Sequence, residues 1–199
     1  MCYRLQGLGL FYGVFRMTCI VGFRKGGKVW IGGDSLGVAG MSKSVRLDRK
    51  VFKVGEYVLG FTSSFRMGQI LQYQTDLVYP VADESKDLHR FAVVQLIPRL
   101  RAAFHSNGMM GKNDMGQDCV GQFLIGYRDQ LWCVESDFQV SLPADPFYCI
   151  GSGAQFAAGA MEVLTTAPES HPEDVIKGAI AVAEKFCCGV GGPVTVENT

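Results

Sequence analysis

Net charge is the first thing this chain lacks. Lysine and arginine number 19, aspartate and glutamate 19, and the pI is near 6.8. Without a positive excess there is little to hold phosphate backbones or anionic lipid, so neither a nucleic-acid nor a membrane partner is expected. Metal-ligand spacing is missing too: there is no C-x-x-C pair, and His89, His105 and His171 stand far apart, which argues against a zinc site. The seven cysteines (2, 19, 119, 133, 149, 187 and 188) are odd in number and scattered, most of them in apolar runs such as Leu131-Trp132-Cys133-Val134. They read as buried free thiols in a reducing compartment, which makes the cytoplasm the expected location. No apolar run approaches the roughly 20 residues a bilayer-spanning helix requires. The stretch Leu5 to Phe15, between Arg4 and Arg16, is too short, and no small-x-small cleavage site follows it. Repeats and low-complexity linkers are also absent.

What is present is a chain of 199 residues, 48% hydrophobic, enough for the core of one domain. The pattern changes at Thr18. Thr18 to Lys25 and Lys28 to Asp34 read as a hairpin around Gly26-Gly27. Residues 1–17 have two readings: a propeptide removed on maturation, or an upstream segment misassigned to the gene, with Met17 the true start. Initiator methionine is removed before a small residue, and Met17-Thr18 fits that. The domain proper is then 18–199.

Val45 to Val54 and Tyr57 to Thr62 read as two further strands. Met67, Ile70, Leu71, Leu77 and Val78 predict one helix by their spacing, and Leu88, Ala92, Leu96, Leu100 and Ala103 a second, which Pro98 should kink. Ser106 to Asp118 reads as a mobile loop. Phe123–Tyr127 and Leu131–Val134 read as strands about Arg128-Asp129, and Phe147–Ile150 as another. A helix follows over about 153–164. A second is opened by Ser170-His171-Pro172-Glu173 in capping-box form and ended by Gly191-Gly192, before a last strand from Pro193. Strands, two helices, strands, two helices and a strand predict an α+β fold: two antiparallel sheets between helix pairs, a four-layer αββα sandwich.

A threonine hydroxyl needs a base, and a threonine at a chain terminus carries one in its own α-amine, whose reference pKa is about 7.7–8.0. A lysine nearby favours the neutral amine, and a carboxylate would orient that lysine. Asp34 lies sixteen residues after Thr18, and Lys50 sixteen after Asp34. Singly, each of the three is more often structural; together they form a candidate active site.

Thr18-Cys-Ile-Val-Gly, Gly33-Asp34-Ser35 and Arg49-Lys50-Val51 resemble, at the same spacing, the nucleophile, aspartate and lysine segments of proteasome β subunits and bacterial HslV peptidases, which are N-terminal nucleophile (Ntn) hydrolases. The resemblance implies an Ntn-type sandwich and a threonine endopeptidase acting through Thr18, Asp34, Lys50 and Ser152, the last within Ile150-Gly-Ser-Gly153. Val58-Leu-Gly-Phe-Thr-Ser63 resembles the strand before the oxyanion hole, which maps the donor to the Ser63 N–H. Glycine is usual there, and serine would be strained if positive φ is required. Gly37, Asp48 and Phe61 would line the side-chain subsite. The family's Asp and Ser near the end of the last helix have no counterpart in Lys185-Phe-Cys-Cys-Gly-Val-Gly-Gly, and Cys187 fits the bacterial branch. There the resemblance implies a monovalent cation such as sodium on the backbone carbonyls of Glu184, Cys187 and Val190. No other cofactor is implied. It further implies a homo-oligomeric ring, unfolded protein or peptide as substrate, and an ATP-dependent unfoldase as partner. Two other functions fit the same terminus: an Ntn amide hydrolase acting on a small substrate, or a catalytically silent ring or scaffold subunit.

Overall fold

The structure, a computed structural model, describes residues 17–112, 116, 118–167 and 169–199. Of the upstream segment 1–17, all but Met17 lies outside the described residues.

Strands β1 (Ile20–Lys25) and β2 (Lys28–Gly33) form the expected hairpin, with Gly26 and Gly27 both at positive φ in the turn. There follow β3 (Leu36–Ala39), β4 (Ser42–Val45), β5 (Val51–Val54), β6 (Tyr57–Phe61) and helix α1 (Phe65–Tyr73). Helices α2 (Leu88–Phe91) and α3 (Ile97–Ser106) flank a π-helical segment, Ala92–Leu96. The chain continues through β7 (Gly111–Lys112), β8 (Asp118–Cys119), β9 (Phe123–Tyr127), β10 (Gln130–Val134), β11 (Val140–Ser141) and β12 (Phe147–Ile150). It ends with α4 (Ala154–Leu164), α5 (Pro172–Phe186) and β13 (Thr195–Asn198).

Two antiparallel sheets result, in the orders β12-β1-β2-β13 and β11-β10-β9-β6-β5. Side-chain alternation along each strand divides the interior into three layers. Ile20, Val29, Ile31, Val58, Leu124 and Leu131 pack between the sheets. Their odd-numbered or even-numbered neighbours turn outward: Val21 and Phe23 meet α4 and α5, while Tyr57, Leu59, Phe123 and Trp132 meet the helices of the other side. This is the αββα sandwich. The sheets come close because the inner layer includes glycine. A Cβ on Gly60 would stand 2.7 Å from Ile20 Cγ2 and 2.8 Å from Ile31 Cγ2.

Several local expectations need correction. Strand β5 covers only the end of the expected Val45–Val54 strand, because Ser42–Val45 folds back on Leu36–Ala39 in a separate exposed hairpin. Helix α1 stops at Tyr73. Leu77 and Val78 pack against the same core from an irregular segment, so their helical spacing reflected burial and not a helix. Pro98 does perturb the second helix, but as a π-helical turn just before it; a residue with no N–H cannot close the bond to Val94, and a wider turn absorbs the misfit. Part of the expected 106–118 loop is a short ribbon, β7 with β8. His171, not Ser170, caps α5, and Pro172 begins it; α5 ends at Phe186 with Cys187 as its C-cap, ahead of Gly191-Gly192. Among the described residues the six thiols are free, but only Cys19 and Cys133 are buried; Cys119, Cys149 and Cys187 are half-buried and Cys188 is exposed.

Gly60→Val is expected to destabilise the fold by about 1–3 kcal/mol through overpacking between the sheets, read as a lowered guanidinium midpoint. An unchanged midpoint would show that the sheets have room to move.

Candidate active site

Thr18 lies just before β1, and three elements close around it. On one side is the loop between β12 and α4. The Gly153 N–H donates to the Thr18 carbonyl at 3.2 Å, and Ser152 Oγ does so at 3.4 Å. Gly151 makes this approach possible: it sits at φ +97, and a Cβ there would stand 2.2 Å from the Thr18 carbonyl oxygen. The Thr18 N–H in turn donates to Ser152 Oγ at 3.2 Å. Cys187, at the end of α5, donates its thiol to the same oxygen at 3.4 Å. One proton and two lone pairs are thereby all engaged on Ser152.

On the other side, β2 ends at Asp34. Its carboxylate accepts from four donors: the Cys19 N–H at 2.9 Å and Lys50 Nζ at 2.9 Å on Oδ1, and the Leu36 N–H at 3.1 Å and the Gly191 N–H at 3.3 Å on Oδ2. Asp34 is 1% exposed and Lys50 2%. A buried charge is stable only when paired and fully hydrogen-bonded, and Asp34 meets that condition. Burial pushes the Lys50 pKa below the ordinary lysine value, opposed by the attraction and hydrogen bond of Asp34.

The third element is the turn after β6. Ser63 adopts φ +75, the conformation that favours glycine. Its side chain is accommodated because residue 121 is glycine: a Cβ there would lie 2.7 Å from Ser63 Oγ and 2.8 Å from Ser63 Cβ. Ser63 Oγ also shares a 3.2 Å hydrogen bond with Thr62 Oγ1. The Thr18 hydroxyl donates to the Met17 carbonyl at 2.5 Å, and with Met17 in place Thr18 is 4% exposed.

The sequence-predicted residues Thr18, Asp34, Lys50 and Ser152 therefore come together, and Cys19 links Thr18 to Asp34. Asp48 and Phe61 line one cleft of about 600 Å³, with Phe52 and Phe65. Gly37 does not line it; it meets Arg46, which bonds Asp48. Glu184, Cys187 and Val190 share a second cleft of about 650 Å³ with Met17. The Glu184 carbonyl belongs to the last turn of α5, where carbonyls lack helical donors, and the Cys187 carbonyl accepts the Val190 N–H at 3.1 Å. Oxygen donors at that turn suit a cation. Sequence reasoning missed the Gly191 N–H on Asp34, the Cys187 thiol on Ser152, and Arg46. The first is a backbone group with no sequence signal, and the others needed the fold to bring them near.

Sheet order and layering define a four-layer αββα sandwich of the Ntn-hydrolase type. No protein-family model matches the sequence. The chain is 24% identical over 187 residues to the ATP-dependent protease subunit HslV of Caldicellulosiruptor saccharolyticus, covering 92% of this chain and 98% of that one. Among solved structures it resembles Thiobacillus denitrificans BPH in complex with epoxomicin (TM-score 0.75, 23% identity, covering 92% of this chain and 98% of that one). It also resembles the eukaryotic HslV of Trypanosoma brucei (TM-score 0.66, 20% identity, covering 91% and 98%). The fold is the proteasome-type fold of HslV-like proteins.

Replacing Asp34 by Asn should cost about 3–5 kcal/mol at pH 7, because Lys50 is left as a buried, unpaired charge. In that variant the folded lysine pKa falls further below the unfolded value of about 10.4, so between the two the unfolded chain binds the extra proton. Stability should then rise with pH across that window; denaturant titrations at pH 7 and pH 9.5 giving no rise would overturn the assignment. Gly121→Ala should cost about 1–3 kcal/mol by displacing Ser63. Adding Ser63→Gly should recover most of it, and a strictly additive double variant would disprove the contact.

Proposed function

We propose that this chain is a threonine-type endopeptidase of a self-compartmentalised, proteasome-like ring, acting through Thr18 as the first residue of the mature chain. The observation that carries this reading is the buried Asp34–Lys50 pair tied by the Cys19 N–H to the strand that Thr18 opens. The proteasome-type fold supports it.

In the mechanism, removal of everything before residue 18 converts the Thr18 amide into an amine with a lone pair. Lys50, held cationic by Asp34, favours the neutral amine. The amine takes the hydroxyl proton as Oγ1 attacks the substrate carbonyl carbon, and the Ser63 N–H faces the developing oxyanion; donors so placed are commonly worth about 3–4 kcal/mol. Collapse breaks the C–N bond, returns the proton to the departing amine and leaves an ester on Thr18. Water, deprotonated by the same amine, then hydrolyses that ester. Ser152, with Cys187 behind it, orients the Thr18 nitrogen. While Met17 remains attached that nitrogen is an amide, and the base is missing.

Unfolded protein or peptide is the proposed substrate, and a homo-oligomeric ring the proposed assembly. An ATP-dependent unfoldase is the proposed partner, in keeping with the ATP-dependent protease subunit named among the relatives. A monovalent cation such as sodium on the carbonyls of Glu184, Cys187 and Val190 would sit at the negative end of the α5 dipole and brace the turn that carries Gly191. Among the described residues no helix is long and apolar enough to cross a membrane, and a cytoplasmic location is proposed.

The test is intact mass and N-terminal sequencing of the protein expressed from its native start, with peptide hydrolysis measured alongside. A chain beginning at Thr18 is expected. Thr18→Ala should lower hydrolysis by more than about 10³-fold with the assembly intact. Activity surviving that change would refute the mechanism, and a chain still carrying Met17 that cleaves nothing would favour the silent ring subunit.

A further inference from the structure

The β3–β4 hairpin stands apart from both sheets. Its strands pair only with each other, and a lone two-stranded ribbon is marginal in water unless something packs on it. All four residues of β4 are exposed. Leu36 is buried at the base, but Met41 at the tip is fully exposed and Val45 is 58% exposed. Lys43, between them, has no ion-pair partner among the described residues. An apolar tip with an uncompensated charge has the character of one half of a contact. The base of the same hairpin belongs to the site: the Leu36 N–H donates to Asp34 Oδ2 at 3.1 Å, and the Ser35 carbonyl accepts the Arg46 N–H at 2.9 Å.

A matching hollow lies elsewhere on the chain. A cleft of about 790 Å³ opens beside α3, with Val93, Ile97, Met110 and Phe138 in its walls. Phe138 is held there at φ +71, a costly conformation for a bulky residue. Its turn is closed by the Phe138 N–H on the Glu135 carbonyl at 3.0 Å and the Gln139 N–H on Asp137 Oδ1 at 3.0 Å. Of the charges lining the cleft, Arg101 is bound to Asp118 at 2.7 Å. Asp137 has no ion-pair partner among the described residues. The hairpin thus offers an apolar tip and an unpaired cation, and the cleft offers apolar walls and an unpaired anion.

We propose that the β3–β4 hairpin of one copy docks into the α3 cleft of the next, with Met41 seated among Val93, Ile97, Met110 and Phe138, and Lys43 against Asp137. The two surfaces belong to different layers. Val45 at the hairpin abuts Gly192 in the turn beyond α5, whereas the cleft lies where α3 packs outside the other sheet. The contact is therefore head-to-tail, the kind that generates rings and not face-to-face pairs. The proposal rests on the ring in the peptidase reading and names the surfaces that build it. Seating of Met41 supplies the affinity, and the charge pair sets the register. Because Leu36 and Ser35 lie at the hairpin base, a neighbour that grips the tip also steadies the donors around Asp34.

The test reads assembly separately from hydrolysis. Sedimentation velocity over a concentration series is run on the full chain and on Met41→Asp, Lys43→Gln, Asp137→Asn and the double variant Lys43→Gln/Asp137→Asn, with circular dichroism to confirm the fold. Met41 is in solvent in the single chain, so its change should leave the fold intact and abolish assembly at concentrations where the wild type forms rings. Lys43→Gln and Asp137→Asn, the latter keeping the oxygen that accepts from Gln139, should each raise the concentration needed for assembly at least about threefold. The double variant should be no weaker than either single one, because both remove the same interaction. A Met41→Asp chain that assembles like the wild type, strictly additive charge variants, or a wild type that stays monomeric overturns the proposal. If assembly responds as expected but no protein hydrolyses peptides, the interface stands and the peptidase reading falls.

Discussion

The Asp34 carboxylate is the point on which the rest of the site depends, because it is ionic, almost wholly buried, and bound from four directions at once. Its donors come from the residue before β1 (Cys19), the first residue of β3 (Leu36), the residue before β5 (Lys50) and the turn beyond α5 (Gly191). Residues distant in the chain are thereby referred to a single group. The arrangement holds only because every lone pair finds a partner; a carboxylate so placed with one donor missing would carry a large desolvation penalty. The local backbone at the site is constrained for the same reason. Gly191 must present its N–H, Leu36 must turn back on the side chain two residues before it, and Lys50 must enter the interior at the end of an otherwise exposed stretch.

A second constraint is the narrow gap between the sheets. Ile20, Ile31 and Val51 fill the space left by Gly33 and Gly60, and this close packing fixes where β1 and β2 end. Thr18 is positioned by that packing as much as by its own bonds. The loop before α4 completes the arrangement from the far edge of the same sheet: β12 pairs with β1 in a register that sets Ile20 opposite Ile150, so Gly151, Ser152 and Gly153 arrive beside Thr18. Chemistry and core packing thus share the same strands, and the polar groups lie just past the strand ends, where the hydrophobic layers stop.

Strain and buried lone pairs at the site are accommodated locally. Serine stands at position 63 in the left-handed conformation that favours glycine, and the space its side chain needs comes from the glycine at 121 across the turn. A cysteine thiol stands behind Ser152 and donates to its second lone pair.

The sequence by itself determined the layered architecture, because strand alternation and helical spacing report which faces are buried, and the hairpin at Gly26-Gly27 and the strands 123–127 and 131–134 followed from that. It also placed Thr18, Asp34, Lys50 and Ser152 in one candidate site, since residue type and interval carried the resemblance. Leu77 and Val78 show where the signal fails: they are half-buried at helical spacing without being helical, because burial alone does not specify backbone conformation. Only the tertiary structure decided that Gly191 and Cys187 reach Asp34 and Ser152, that Arg46 bridges Gly37 and Asp48, and that Gly121 makes room for Ser63. Those contacts join backbone groups or residues far apart in the chain, and no periodicity or motif encodes a distance that exists only once two sheets and the turns beyond them have packed.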